Sequence, residues 1–267
     1  MIRAGLVSVT FRQLAVERII SLAAEAHLDG IEWGGDVHVR HGDTVAAAHA
    51  ARATTEAGLA VAAYGSYYHV GESEAQGLPF ATVLDTAIAL GAPLIRVWAG
   101  ARASADADQN YRDQVVGDSV RIAELAQAAG IEIAYEFHRR TLTDTGVSTC
   151  RLLTEVLGAD TQSSGGRQAQ PPANVSTYWQ VDPAAGPAAN ATALEAVLPW
   201  LSNVHVFAWA TDGKRRLLAG DSENWRGYLR QLTRSGKQHF ALLEFVKNDD
   251  PDVFRPVSYT HLRAHET

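Results

Sequence analysis

Cysteine, positive charge and long apolar runs are all scarce in this chain. One cysteine, Cys150, in 267 residues rules out a disulfide framework and reads as a small buried apolar side chain in a reducing compartment. No apolar run reaches the ~18 residues of a membrane span, and no charged-then-apolar leader opens the chain, so a cytoplasmic protein without a membrane partner is expected. The 23 Lys and Arg residues are outnumbered by 30 Asp and Glu, for a formal net charge of −7. That balance argues against a nucleic-acid partner, which calls for a basic footprint. A glycine-rich phosphate loop is also missing where VSVTFRQL follows the first apolar run, which counts against a doubly wound dinucleotide fold.

What the chain does have is a repeat. An amphipathic segment, a glycine and a short apolar run recur at Gly30, Gly58, Gly91, Gly130 and Gly236. Glycine just past a helix end relieves the left-handed cap, and the run after it is the next strand. Eight strands are expected: Ala4–Val9, Gly30–Trp33, Val61–Tyr64, Leu94–Trp98, Ile131–Glu136, Val175–Gln180, Asn203–Phe207 and Ala241–Phe245. Helices are expected over Val16–Ala26, Asp118–Ala129, Ala193–Leu201 (behind a Thr192–Glu195 capping box) and Ser222–Leu232. Asp160–Ala173 is polar and rich in Gly, Ser, Gln and Pro, and reads as a flexible loop. Eight βα units predict an α/β fold, a (β/α)8 TIM barrel, as one domain over residues 1–255. The end, Pro256–Thr267, resembles a translated sequencing adapter and is expected to be a non-native tail that truncates the last helix, so His261 and His265 are set aside.

The chemistry gathers at strand ends. In IEIAYEFHRRTLTD, alternation makes a buried strand that delivers Glu136 and then His138. A carboxylate and an imidazole there are costly unless something uses them. His205 interrupts the valines of NVHVF, where a satisfied core histidine is the bland alternative. Glu244 ends FALLE, and Gln180 and Asp182 end VSTYWQVD. Four strands each bringing an oxygen or nitrogen suggest one divalent metal. Gln180 sits at the strand end proper; Asp182 carries the charge a hard cation prefers but precedes Pro183. Both are kept as ligands. A supporting ring is expected from Glu32, Asp36, His38, Tyr64, Tyr67, His69, Arg96, Trp98 and His138, whose aromatic and hydrogen-bonding groups suit a small polyol. Arg215, within the basic run after the seventh strand, reads as a solvated residue or an anion clamp.

With SVTFRQL, GIEWGGDVHV, YGSYY, YEFHRRTLTDT, STYWQ, NVHVFAW and ALLEFV in this order, the chain resembles the xylose isomerase-like barrels of the sugar phosphate isomerase/epimerase superfamily, near the keto-sugar 3-epimerases. The resemblance implies a Glu, an Asp, a His and a second Glu holding Mn, Mg or Co; Glu136, His205 and Glu244 match, and the Asp position falls at Gln180 or Asp182. It also implies an enediolate mechanism on a ketose, with Glu136 and Glu244 as the proton-transferring pair. Two positions depart from it: Pro183 or Ala185 stands where those epimerases carry a histidine, and Thr211 where they carry an arginine.

The expected function is therefore a metal-dependent isomerase or epimerase of a sugar, sugar phosphate or related polyol. An inosose-type dehydratase on the same barrel is the alternative. An abasic-site endonuclease, which needs a multi-histidine metal cluster, and a non-catalytic sugar-binding barrel stand further off. Assembly as a homo-oligomer is left open.

Overall fold

Period-two apolar runs separated by amphipathic helices leave one economical arrangement, a parallel sheet with helices packed outside it. The structure, a computed structural model, describes residues 1–158, 173–210 and 212–254. Eight strands follow one another in chain order: β1 (Ile2–Val7), β2 (Gly30–Gly34), β3 (Ala60–His69), β4 (Leu94–Trp98), β5 (Glu132–Tyr135), β6 (Val175–Trp179), β7 (Leu201–Val206) and β8 (His239–Leu243). Every neighbouring pair is parallel, and β8 pairs with β1 to close the barrel. The chain is thus a (β/α)8 TIM barrel.

Among the described residues seven α-helices alternate with the strands: α1 (Val16–Glu25), α2 (Thr44–Glu56), α3 (Phe80–Leu90), α4 (Gln109–Ala128), α5 (Gly146–Gly158), α6 (Pro187–Val197) and α7 (Ser222–Thr233). Local signals explain several of their ends. Asp43 and Asp108 cap α2 and α4 by accepting from Ala46 N and Tyr111 N. Gly91 closes α3 at φ 66°, a left-handed conformation that a Cβ would disfavour. Two expectations are corrected. Gly30 does not cap α1, because His27 takes the positive φ and Gly30 enters β2. The capping box at Thr192 does not form either: α6 already begins at Pro187, whose fixed φ suits a first helical turn, and the Thr192 hydroxyl donates back to Ala188 O.

Apolar burial is split into two bodies. The larger fills the space between the helices and the outer barrel face, with Ile95, Val97, Ile133, Trp179, Val204 and Leu243 among its members. The smaller occupies the lumen around Val7, Ala63, Leu94, Ala134, Tyr178 and Leu242. Residues 251–254 begin a helical turn, where the buried Phe254 meets the Phe11 ring edge-on at 5.5 Å. The adapter-like tail lies outside the described residues, as does the polar loop but for Ala173. No helix among the described residues is long and apolar enough to cross a membrane.

Candidate active site

Strand alternation decides which side chains enter the lumen, and the C-terminal ends of the strands decide which of them reach the mouth. The inward set runs Leu94, Arg96, Trp98 on β4, then Ala134 and Glu136 on β5 and its exit, and Tyr178 and Gln180 on β6 and its exit. On β7 it includes Asn203 and His205, and on β8 and its exit Leu242 and Glu244. These side chains stack in layers. Glu32, Arg96, Tyr178 and His205 form a buried layer. Above it Trp98, Glu136, Gln180 and Glu244 line a cleft of ≈ 270 Å³.

His205 joins the layers. Its Nδ1 lies 3.2 Å from Gln180 Oε1, 3.3 Å from Glu244 Oε2 and 3.8 Å from Glu136 Oε1. Its Nε2 faces Glu32 Oε2 at 3.4 Å. Glu32 is fully buried, and its other oxygen accepts from Arg96 Nε at 2.7 Å. Arg96 turns its Nη1 to Glu136, which also accepts from the Trp98 indole. The guanidinium fits only because position 65 is glycine, since a Cβ there would stand 2.6 Å from Arg96 Nη2 and 2.9 Å from Glu32 Oε1.

Burial opposes charge at Glu32, His205 and Glu244, and the neighbours overrule it. For Glu32 the desolvation cost is outweighed by the charges of Arg96 and His205, which bring its carboxyl down to about 2. For His205 burial is outweighed by Glu244 and Glu32, which push the imidazole up to about 10. Burial likewise raises the Glu244 carboxyl, but His205 pulls it below its ordinary value. With Glu32, Glu136 and Glu244 as anions and Arg96 and protonated His205 as cations the cluster stands at −1; an imidazole that gave up its proton to bind a cation would leave it at −2, the charge one divalent ion balances.

One ligand atom each from Glu136, His205 and Glu244 lies within 4.8 Å of the others. With Gln180 Oε1 against the same imidazole nitrogen, these four residues could hold a metal among the described residues. Asp182 is drawn away: its Oδ1 accepts from Ala184 N, and Asn190 clasps its backbone N and O. Between the two candidates, the structure brings Gln180 to the cluster. The donors are two carboxylates, an amide oxygen and an imidazole, a set suited to an oxygen-preferring divalent ion.

Hydroxyl clamps fix the strand exits. Thr10 accepts from Phe245 N and donates to Leu243 O, bracketing Glu244. Phe245 takes φ 62° there, a strained value for an aromatic residue, as does Tyr67 at φ 53°. Thr143 donates to Glu136 O and Thr141 to His138 O, which accounts for the threonines of RTLTDT. Tyr67 stands in the stretch between Gly65 and Tyr68 where the register with β4 shifts, and lines the cleft.

The expected supporting ring is only partly assembled. Tyr67, Trp98 and His138 line the cleft, with the His138 ring stacked 4.7 Å from Trp98. Asp36 pairs with Arg12 at the rim. Glu32 and Arg96 lie beneath the floor. Tyr64 is buried on the outer side and donates to Val39 O, while His38 spends both ring nitrogens on Ser8 and Leu14. His69 meets Trp98 edge-on but is bound to Gly100 O. Arg215 pairs with Asp249 and covers the Phe245 ring at 4.0 Å, so it is no free anion clamp. Thr211 lies outside the described residues. Sequence reasoning missed the cleft residues Arg12, Phe207, Trp209 and Phe245. A signal existed for Phe207 and Phe245, each next to a strand-end candidate; Arg12 and Trp209 reach the cleft through loops that no periodicity predicts.

Comparison with known proteins agrees with this fold. The chain matches the family described as the Xylose isomerase-like TIM barrel over residues 20–256 and belongs to it. No curated protein matches it by sequence. Among solved structures it is similar to the probable 3-DHS dehydratase AsbF of Bacillus anthracis, at 20% identity and TM-score 0.75, over 99% of this chain and 100% of that one. It is also similar to the 3-keto-D-glucoside 4-epimerase YcjR of E. coli, at 16% identity and TM-score 0.69, over 98% and 99% of the two chains. A D-allulose 3-epimerase from Methylomonas sp. follows at 15% identity and TM-score 0.67, over 98% and 96%. At such identities the likeness speaks for the fold.

Proposed function

We propose that this barrel is a metal-dependent isomerase or epimerase of a sugar or related polyol, working by proton transfer next to a ketone. One observation carries the reading: Glu136, Glu244 and His205 arrive from three separate strands at one buried, net-negative point that opens into a sugar-sized cleft. A divalent ion held by Glu136, Gln180, His205 and Glu244 would supply Lewis-acid polarisation of the carbonyl.

The chain's own groups do the rest. Glu136 and Glu244 approach the point from different strands, so one can remove a proton α to the carbonyl and the other can return one. Arg96 and Trp98 hold Glu136 from behind, which leaves its other oxygen turned to the centre. The stacked Trp98 and His138 and the nearby Tyr67 exclude water and offer flat faces to C–H groups. Glu32 orients the imidazole by accepting from its Nε2 side, a partner that metal-binding histidines commonly have.

A dehydratase is the second reading, because elimination of water begins with the same proton removal. The probable 3-DHS dehydratase AsbF shares the barrel, so the fold accommodates that chemistry as well. Incubation of the Mn-loaded protein with a ketose panel in deuterated water tests both readings. An epimer or isomer carrying deuterium supports the first and loss of water supports the second. Ketoses recovered without exchange, epimerisation or loss of water would sink both.

A further inference from the structure

A second cavity, also of ≈ 270 Å³, lies beside the cleft, and the two share Val181, Asp182, Pro183, Phe207, Trp209 and Ala210 as lining residues. We infer that this cavity is a second sugar subsite, and that the substrate is a ketose bearing another pyranose ring rather than a free monosaccharide. The inference rests on the ketose reading above.

Size is the first argument. Each cavity is at the lower limit of small-molecule sites, suited to one ring; the pair together reaches well into the usual range of roughly 300–1,000 Å³. Chemistry is the second. The far wall presents the side chains of Arg216, Asp221 and Asn224, none of which makes a hydrogen bond or ion pair with another described residue. A guanidinium, a carboxylate and an amide offer both donors and acceptors, as a ring of hydroxyls requires. With Asp182 and Asp221 against Arg216, the wall is net negative, so it disfavours a phosphate or carboxylate tail and suits a neutral polyol. Trp209 borders both cavities, and its indole N–H is buried without a partner among the described residues.

Pre-organisation is the third. The shared turn at Asp182 is no loose loop. Asn190, itself buried, accepts from Asp182 N at 2.8 Å and donates to Asp182 O at 3.0 Å and Ala185 O at 3.2 Å. Pro183 and Pro187 stiffen the same turn. A cavity held open in this way binds without first having to order its walls.

The test measures dissociation constants by saturation-transfer NMR on the Mg-loaded protein. The probes are three free ketoses (fructose, allulose and tagatose) and the glucosyl-fructoses trehalulose, turanose, maltulose, leucrose and isomaltulose, which differ in linkage. At least one glucosyl-fructose is expected to bind about tenfold or more tighter than fructose. The double variant Arg216→Met, Asn224→Leu should remove that gain and leave the binding of the free ketoses unchanged. Free ketoses that bind while no disaccharide binds tighter overturn the subsite and leave the ketose reading standing. A gain that survives the double variant overturns it as well. Failure of every ketose, of either size, to bind removes both readings together.

Discussion

Replacing Glu32 by glutamine probes the buried layer without touching the cleft. The carboxylate has two calls on it: Arg96 Nε at 2.7 Å and His205 Nε2 at 3.4 Å. An amide has one oxygen, so it can accept from only one of these and must turn an N–H toward the other. The lumen also loses one of its three anions, and Arg96 keeps only Glu136 as a charged partner. Breaking a buried pair from one side costs about 3–5 kcal/mol, and the surviving Arg96–Glu136 contact places the loss near the lower figure. At about 2–4 °C per kcal/mol for a chain of this size, melting should fall by roughly 6–12 °C. Loss of the histidine's partner should weaken metal binding by about 10- to 100-fold, or roughly 1.4–2.8 kcal/mol. Competition with a fluorescent chelator for Mn gives the affinity, and calorimetry gives the melting temperature. An affinity within about twofold of the parent, together with unchanged melting, would refute the claim that Glu32 orients His205.

Three further outcomes are expected. Glu136→Gln and Glu244→Gln should each reduce α-proton exchange by at least about 10²–10⁴-fold, read as deuterium incorporation, and retention of exchange in either removes that residue from the proton-transferring pair. Mn affinity should rise with pH: His205 titrates at about 10 rather than its ordinary 6.5, and a cation must displace that proton, so binding should strengthen by up to about tenfold per pH unit below this value. The same raised pKa means that His205 contributes stability to the metal-free protein fully below pH 6.5, a contribution lost as pH climbs toward about 10; a flat affinity profile over this window contradicts the assignment. Gly65→Ala should be markedly destabilising, because the new Cβ would stand 2.6 Å from Arg96 Nη2 and 2.9 Å from Glu32 Oε1; thermal melting checks it, and a parent-like melting temperature counts against the tight fit.

How far the sequence carried can be seen residue by residue. Glu136, His205 and Glu244 were legible because each ends or interrupts a short apolar strand, and alternation along one strand is a local property. Gln180 against Asp182 was not. The choice depended on the course of the backbone after Trp179, which Asn190, eight residues beyond Asp182, settles by clasping the turn. Tyr64 and Tyr67 looked equivalent as neighbours of the third strand end. Three positions apart, they fall on opposite faces of the strand, one bonded outward to Val39 and the other, within the register shift after Gly65, lining the cleft.

By itself, then, the amino-acid order determined the eight strands with helices between them, the parallel barrel and the identity of the polar groups its strands deliver. Those follow from hydrophobic period and helix-ending residues, which act within a few positions along the chain. Only the closed tertiary structure decided their height. Glu32 and Arg96 point inward like Glu136 and Glu244, yet they lie one layer down, as buried partners instead of cleft walls. Height is set by the stagger of neighbouring strands around the closed barrel. That stagger belongs to all eight strands at once and is written in none of them singly.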